Sequence, residues 1–201
     1  MSTPVKVTAL VVLSVMQVCA AAWSIVRYER TLASGTPYRI RIEPIDPADP
    51  FRGRYVAVQP TITLPTPIAP ETELLLQSVQ SRSGTAYVRL TNDSEGFAAA
   101  ARILSEPPPE GDYLEIDGAW PVWTSPPERP HQPEMTGYTL RFSFDRYYMN
   151  ETAAPAAEQA YFERTRRNAD SKAWLTVKVM NGVGVIAGLF VDGVPIEELV
   201  R

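Results

Sequence analysis

The stretch WLTVKVMNGVGVIAGLFV, residues 174–191, decides the fold of this 201-residue chain. It contains two runs of apolar and β-branched residues, Trp174–Val179 and Val183–Val191, on either side of the dipeptide Asn181-Gly182. Asn-Gly favours the positive φ angles of a tight turn, and such a turn joins two antiparallel strands. These residues therefore predict a β-hairpin, and Asp192-Gly193 marks the turn that follows it.

The rest of the chain also contains short strand-like runs between turns. Tyr38–Glu43 alternates strictly, with Tyr38, Ile40 and Ile42 on one face, which is typical of a half-buried strand. Comparable runs predict five further strands: Tyr55–Gln59, Ala86–Leu90, Phe97–Leu104, Tyr113–Ile116 and Tyr138–Phe144. We therefore expect a mainly β, antiparallel fold of the β-rich α+β type, with one short helix near residues 153–169.

Proline, at 19 positions, separates these runs. Residues 60–70 contain four prolines and are predicted to be irregular or an edge strand, and Pro121–Pro133 is predicted to be a loop. Glu71–Gln80 contains three consecutive leucines and is compatible with a short helix or with a strand. In the helix near residues 153–169, one face collects Ala154, Ala157, Ala160 and Tyr161.

An uncharged apolar segment, Val7–Val26, precedes the β-rich region. Twenty helical residues at about 1.5 Å each match the roughly 30 Å hydrocarbon core of a bilayer. Trp23 and Tyr28 lie where aromatic side chains anchor a helix at the membrane surface. We predict that Val7 to Val26 contact the lipid bilayer as a transmembrane helix. A cleaved signal peptide is the alternative, because Ala20-Ala21-Ala22 offers small residues for cleavage.

The predicted division of the chain follows from this segment. Residues 1–30 form the membrane anchor, and residues 31–201 form a single β-rich domain. The anchor contains three basic residues, Lys6, Arg27 and Arg30, and one acidic residue, Glu29, so its net charge is +2. The whole chain has a net charge of −4, so the remaining domain carries −6. The basic residues after the segment favour a cytoplasmic domain, but long domains translocate largely regardless of charge. An acidic, cysteine-free domain suits an extracytoplasmic location on the inner (cytoplasmic) membrane.

Composition excludes several classes of function. A net charge of −4 and a pI near 5.1 argue against nucleic-acid binding, which usually requires a basic face. One Cys cannot form a disulfide within the chain or a Cys-rich zinc site, and one His cannot form a His-pair metal centre. We therefore expect no metal and no cofactor.

A family resemblance rests on the order of several segments. Asp46-Pro47, followed by FRGRYVAV at residues 51–58, resembles the signature of the GDYXXLXY family of uncharacterised bacterial membrane-anchored proteins. Ala86–Leu90, Phe144–Glu151 and Gly188–Gly193 are similar to later family segments, so the resemblance covers essentially residues 1–197.

The signature itself is degenerate in this chain. Arg54 stands where the family has Asp, Val58 where it has Leu and Pro60 where it has its final Tyr, whereas Gly53 and Tyr55 are retained. A literal Gly-Asp-Tyr occurs at residues 111–113, but without the preceding Asp-Pro turn, and it is interpreted as the entry to a strand.

The resemblance implies an accessory role. The family has no established biochemical activity, and its genes often lie beside those for polytopic membrane proteins of unknown function. We therefore expect a non-catalytic accessory or interaction module with a polytopic membrane protein as its partner. The motif residues that are candidates for a structural or binding role are Asp46, Asp49, Arg52, Gly53, Arg54, Tyr55, Tyr147 and Glu151.

Two other functions stay open. Arg52 and Arg54 alternate around Gly53 and point to the same side of an extended chain, so they could bind an anionic envelope ligand. A membrane-bound hydrolase is the other alternative, because an N-terminal anchor before a β domain is similar in outline to membrane-bound signal peptidases. Such an enzyme would use a Ser with Lys172 or Lys178, or a pair of carboxylates. No residue is identified as catalytic by the sequence.

Overall fold

The computed structural model describes residues 3–43, 55–126, 131–149, 156–157, 159, 161 and 173–199. Two α-helices lie wholly within these residues, α1 (Thr3–Ser34) and α2 (Pro70–Gln80), and a 3₁₀ turn covers Ile196–Glu198. The strands are β1 (Thr36–Glu43), β2 (Tyr55–Ala57), β3 (Gln59–Pro60), β4 (Ile62–Pro65), β5 (Ala86–Asn92), β6 (Ala98–Leu104), β7 (Tyr113–Ile116), β8 (Gly118–Thr124), β9 (Glu134–Arg141), β10 (Arg146–Tyr148), β11 (Ala173–Met180), β12 (Val183–Val191) and β13 (Val194–Pro195).

These strands form four antiparallel sheets, which confirms the predicted fold class. The largest sheet has the order β13-β12-β11-β1-β3, and two three-stranded sheets have the orders β4-β9-β8 and β6-β5-β7. Strands β10 and β2 form the fourth sheet. Isolated parallel bridges between Arg39 and Phe97 and between Leu114 and Gly182 link the β6-β5-β7 sheet to the large one.

The predicted hairpin forms the centre of the large sheet. Met180 pairs with Val183, and the turn residues Asn181 and Gly182 have φ angles of 48° and 79°. Both angles are positive, as a tight hairpin turn requires, and Asn and Gly tolerate them better than other residues. The hairpin is therefore confirmed in position, and its ladder has one irregularity between Thr176 and Val177.

Strand β1 pairs with β11 and contributes its predicted apolar face to the core. Ile40 lies opposite Leu175, and both side chains have no exposed surface. Ile42 is also buried, whereas Arg39 and Arg41 on the other face are exposed. Residues from all the larger strands join this core cluster, together with Leu76 and Val79 of α2, Ala157 and Tyr161. The alternation in Tyr38–Glu43 thus predicted the buried face correctly.

The structure decides the conformation of two segments rich in proline or leucine and of part of the predicted helix. Glu71–Gln80, which was compatible with helix or strand, is helical in α2. Residues 60–70 include β4, an edge strand on β9, in agreement with one of the two predictions. The helix near residues 153–169 is confirmed at positions 156, 157, 159 and 161, and its other positions lie outside the described residues.

The prediction that Pro121–Pro133 is a loop is wrong at its start. Strand β8 extends to Thr124, and Pro121 lies opposite Tyr138 of β9. Because β8 is the edge of the β4-β9-β8 sheet, the missing N–H of Pro121 leaves no hydrogen bond unmade to a further strand. Strand β9 correspondingly begins at Glu134 and ends at Arg141, earlier than the predicted Tyr138–Phe144.

Helix α1 is long and apolar enough, in length and composition, to cross a membrane. Its candidate span is Val7–Ser34, with a mean hydropathy of 2.2, and none of its most apolar window is buried. The last turns of α1 pack on β11 and β12. Thr31 is 1% exposed, and its hydroxyl donates to the carbonyl of Arg27 at 3.0 Å.

The helix passes into β1 through a single residue, Gly35. The Gly35 N–H donates to the Thr31 carbonyl at 2.8 Å. A Cβ placed on Gly35 would lie 2.5 Å from the Thr31 oxygen and 3.0 Å from the backbone N and O of Val179. These neighbours are backbone atoms and cannot rotate away, so only glycine allows the helix end to approach β11 this closely.

Replacing Gly35 by Ala is expected to lower the free energy of unfolding of the full-length protein by roughly 1–3 kcal/mol, because the added methyl overpacks this contact. Denaturant unfolding in detergent measures the change. Ser34→Ala is the matched control, since Ser34 is exposed and precedes the contact. Equal stability of the two variants would contradict the close approach.

Candidate functional site

Two of the eight predicted motif residues, Tyr55 and Tyr147, lie within the described part of the chain. Those that lie outside the described residues are Asp46, Asp49, Arg52, Gly53, Arg54 and Glu151. The backbone of Tyr55 is described in β2, and Tyr147 is described in β10 with its side chain. Their roles as motif residues therefore stay predictions. The pairing of β2 with β10 adds one structural observation, the proximity of Tyr55 and Tyr147.

That pairing joins two of the segments on which the family resemblance rests. Tyr55 lies opposite Tyr148, and Val56 lies opposite Tyr147, in an antiparallel ladder. The Val58 N–H donates to the carbonyl of Asp145 at 3.0 Å, and Val58 itself is fully buried. Segments about 90 positions apart in the chain are thus neighbours in space, a proximity that no local pattern in the sequence indicated.

Tyr147 is bonded to the 3₁₀ turn after β13. Its hydroxyl donates to Oε1 of Glu197, and both side chains are half-buried. Burial, followed by the hydrogen bond to the Glu197 carboxylate, raises the pKa of Tyr147 well above its usual range. Tyr147 therefore remains a neutral donor, and its geometry supports a structural link between β10 and the end of the sheet.

A second tyrosine–carboxylate pair involves the literal Gly-Asp-Tyr at residues 111–113. The Tyr38 hydroxyl of β1 donates to Oδ2 of Asp112 at 3.1 Å. Burial and the adjacent carboxylate raise the pKa of Tyr38 to about 12. Gly111 has a φ of 86°, and β7 begins at Tyr113, in agreement with the interpretation of this tripeptide as a strand entry.

Arg41, one of the basic residues that follow the apolar segment, is engaged within the domain. Its guanidinium lies 2.8 Å from Oδ2 of Asp93, donates to Glu95 at 3.0 Å and lies 4.1 Å from the ring centre of Phe97. Hydrogen bonds from the Phe97 N–H and from Arg41 lower the pKa of Asp93. This set of contacts holds the β5–β6 turn against β1.

A cleft of about 420 Å³ lies beside the end of α1. Its charged lining residues are Arg27 of α1, Arg82 after α2, and Glu115 and Asp117 at the end of β7. All four are exposed, and within the described part of the chain none of them forms an ion pair. We call this the juxtahelical cleft. Two positive and two negative side chains give it no net charge, so it does not favour a simple anion.

A second concavity of about 340 Å³ adjoins this cleft and shares Tyr28, Ser143 and Gly184 with it. Tyr147 also lines it, which places one sequence-predicted residue at the groove. No pattern in the sequence indicated Arg82, Glu115 or Asp117 as site residues. Their proximity depends on the pairing of β5 with β7, which sets Ala86 opposite Ile116, and no spacing along the chain could have revealed it.

A Ser/Lys hydrolase needs a lysine base close to a serine nucleophile. Lys178 lies in β11 between Pro37 and Val185 of the neighbouring strands, and Lys172 lies outside the described residues. Ser78 of α2 donates its hydroxyl to the backbone carbonyl of Leu75 at 2.7 Å. Within the described ranges, no group of three or more His, Cys, Asp or Glu residues could hold a metal ion.

The fold defines a class: an antiparallel β domain attached directly to a long apolar N-terminal helix. The family model described as GDYXXLXY protein matches residues 17–189. The chain therefore belongs to the GDYXXLXY family, as the order of its segments predicted. No curated protein and no solved structure matches it.

Replacing Tyr147 by Phe is expected to lower the free energy of unfolding by roughly 1–3 kcal/mol, because Glu197 loses a hydrogen bond that involves a charged acceptor. Denaturant unfolding of Tyr147→Phe, Glu197→Gln and the double variant measures the coupling. The double variant is expected to be less destabilised than the sum of the single variants. Additive effects would indicate that the two side chains do not interact.

Proposed function

We propose that this GDYXXLXY protein is a single-pass inner-membrane protein, with an extracytoplasmic β domain that serves as a non-catalytic accessory or interaction module for a polytopic membrane protein. The observation that carries the proposal is the attachment of the domain. The apolar part of α1 is unburied, and the same helix ends in the buried Thr31 contact and enters β1 without a linker. A domain attached in this way has a defined height and orientation relative to a bilayer.

A rigid attachment suits a protein that presents a surface to a membrane neighbour. The juxtahelical cleft includes Arg27 and Tyr28, which directly follow the apolar stretch ending at Val26. Exposed charges of both signs beside the apolar stretch are suited to polar contacts with the loops of an integral membrane protein. The continuation of α1 to Ser34 also supports a retained anchor over a cleaved signal peptide.

The hydrolase alternative is best represented by Glu115 and Asp117, because both line the juxtahelical cleft. A catalytic pair of carboxylates needs two environments that separate their pKa values. Both side chains are exposed to solvent, so the cleft offers little difference between them. The anionic-ligand alternative depends on Arg52 and Arg54, which lie outside the described residues. The accessory role therefore has the better support.

Topology can be tested with C-terminal fusions of the full-length chain. An alkaline phosphatase fusion, which is active outside the cytoplasm, is expected to be active, and a green fluorescent protein fusion is expected to be dark. The chain is expected to remain in the membrane fraction with residues 1–30 intact by mass spectrometry. A soluble product shortened near Ala20–Ala22 would contradict the anchor, and the opposite reporter pattern would contradict the extracytoplasmic location.

The accessory role is tested by affinity purification of the tagged full-length chain from membranes in mild detergent. A multi-spanning membrane protein is expected to co-purify at a constant ratio. An unrelated single-pass protein with the same tag serves as the control for non-specific capture. Recovery of the chain alone under several detergents would overturn the accessory role.

A further inference from the structure

A concavity of about 390 Å³ lies between the turn of the central hairpin and the end of the apolar stretch of α1. We call it the hairpin pocket, and its lining residues are Trp23, Val26, Arg27, Arg30, Thr31, Met180 and Asn181. Its volume is in the range of ligand pockets, about 300–1,000 Å³. Two elements that are far apart in the chain enclose it, so it is a property of the fold rather than of one helix face.

The helical wall of the hairpin pocket is positively charged. At about 100° per residue, Val26, Arg27 and Arg30 all lie within roughly 60° of Trp23 around α1. Glu29 is the nearest acidic residue in the sequence, but it lies about 100° from Arg30 around the helix and does not line the pocket. Among the described residues, no acidic side chain lines the pocket, so its two guanidinium groups favour an anion.

The polar groups of the pocket are available to a ligand. Arg27 and Arg30 are exposed, and neither forms an ion pair with a described residue. The side-chain amide of Asn181, which can donate two hydrogen bonds, also has no partner within the described ranges. Guanidinium groups bind phosphate through pairs of parallel hydrogen bonds, which an ammonium group cannot form. The set of donors therefore suits a phosphate group.

The pocket changes from apolar to cationic along the direction of α1. Trp23 and Val26 belong to the apolar stretch and are 71% and 43% exposed, and Arg27 and Arg30 come directly after it. From Val26 to Arg30 the helix rises by about 6 Å, comparable with the roughly 5–8 Å of headgroup region on one side of a bilayer. In a bilayer crossed by Val7–Val26, the two arginines therefore lie at the level of the lipid phosphates.

We infer that the hairpin pocket binds the phosphate group of an anionic phospholipid, with Arg27 and Arg30 at the phosphate oxygens and an acyl chain along Trp23, Val26 and Met180. The inference rests on the membrane attachment in the proposed function and goes beyond it by assigning a ligand. Basic pockets beside transmembrane helices bind anionic headgroups in this way. A free phosphate ion, or an acidic loop of a protein, would match the cationic end only and leave the apolar wall uncovered.

The site is tested by native mass spectrometry of the full-length chain, purified in a neutral detergent and titrated with phosphatidylglycerol. Arg27 also lines the juxtahelical cleft, so Arg30, which does not, is the residue to change. Arg30→Gln is expected to weaken phosphatidylglycerol binding about fivefold, the share of one basic residue near an anionic membrane. Arg102→Gln is the matched control, because Arg102 is exposed on β6 and does not line the pocket.

The wild-type chain and Arg102→Gln are expected to retain one phosphatidylglycerol, in preference to the zwitterionic phosphatidylcholine. An equal loss of lipid in both variants would indicate attraction by net charge alone and would overturn the site. Equal retention by the wild-type chain and Arg30→Gln, as expected if an acidic protein loop fills the pocket, would overturn it as well. Inorganic phosphate in excess is expected not to displace the lipid, and displacement would assign the pocket to a free ion instead.

A photoreactive phosphatidylglycerol, with its reactive group on an acyl chain, locates the lipid on the full-length chain reconstituted in vesicles. Adducts at Met180, mapped by mass spectrometry, are expected to fall about fivefold in Arg30→Gln. Ile25 is 62% exposed and lies about 160° from Trp23 around α1. Its adducts report the surrounding bulk lipid and are expected to be unchanged in the variant.

The two proposals fail in different ways. Adducts at Ile25, together with Met180 adducts that do not respond to Arg30→Gln, would overturn this inference and leave the membrane attachment intact. Absence of adducts at both positions would overturn the attachment itself and the inference with it. The accessory role is tested separately by recovery of a multi-spanning protein, since the lipid measurements use the purified chain alone.

Discussion

Backbone contact at Gly35 joins the anchor helix to the central hairpin of the domain. The Thr31 carbonyl and the Val179 backbone both lie at distances that exclude a side chain on Gly35. Because β1 begins at the next residue and pairs with β11, the helix direction determines where the large sheet lies relative to it. The cleft beside Arg27 and the concavity that the hairpin turn lines with Trp23 and Val26 both depend on this contact.

The same hairpin also organises the core. Leu175, Val177 and Val179 of β11 are buried, and the strand has β1 on one side and β12 on the other. The remaining sheets are attached around this centre through isolated bridges and side-chain packing rather than through long ladders. Two half-buried tyrosines, Tyr38 and Tyr147, donate hydrogen bonds to carboxylates, so polar contacts lie around a centre filled by apolar residues.

Local patterns predicted much of the fold because they report properties of short segments. Strict alternation identified the buried face of β1, and Asn181-Gly182 identified the hairpin turn. The start of Pro121–Pro133 was predicted wrongly because proline was taken to end a strand. Proline is tolerated at an edge, and whether a strand is an edge depends on which neighbours it acquires. The proximity of Arg82, Glu115 and Asp117 could not be predicted for a similar reason, since it arises from packing between distant strands.

The amino-acid sequence by itself determined the apolar helix, the antiparallel β class, the absence of a disulfide within the chain and the family, because each depends on composition, periodicity or segment order. Only the tertiary structure decided that the family segments at β2 and β10 are paired, that a mixed-charge cleft lies beside Arg27, and that Thr31 of α1 is buried against the domain. These relations depend on the angle at which one rigid element meets another. That angle is set by close contacts such as the one at Gly35, which local periodicity does not encode.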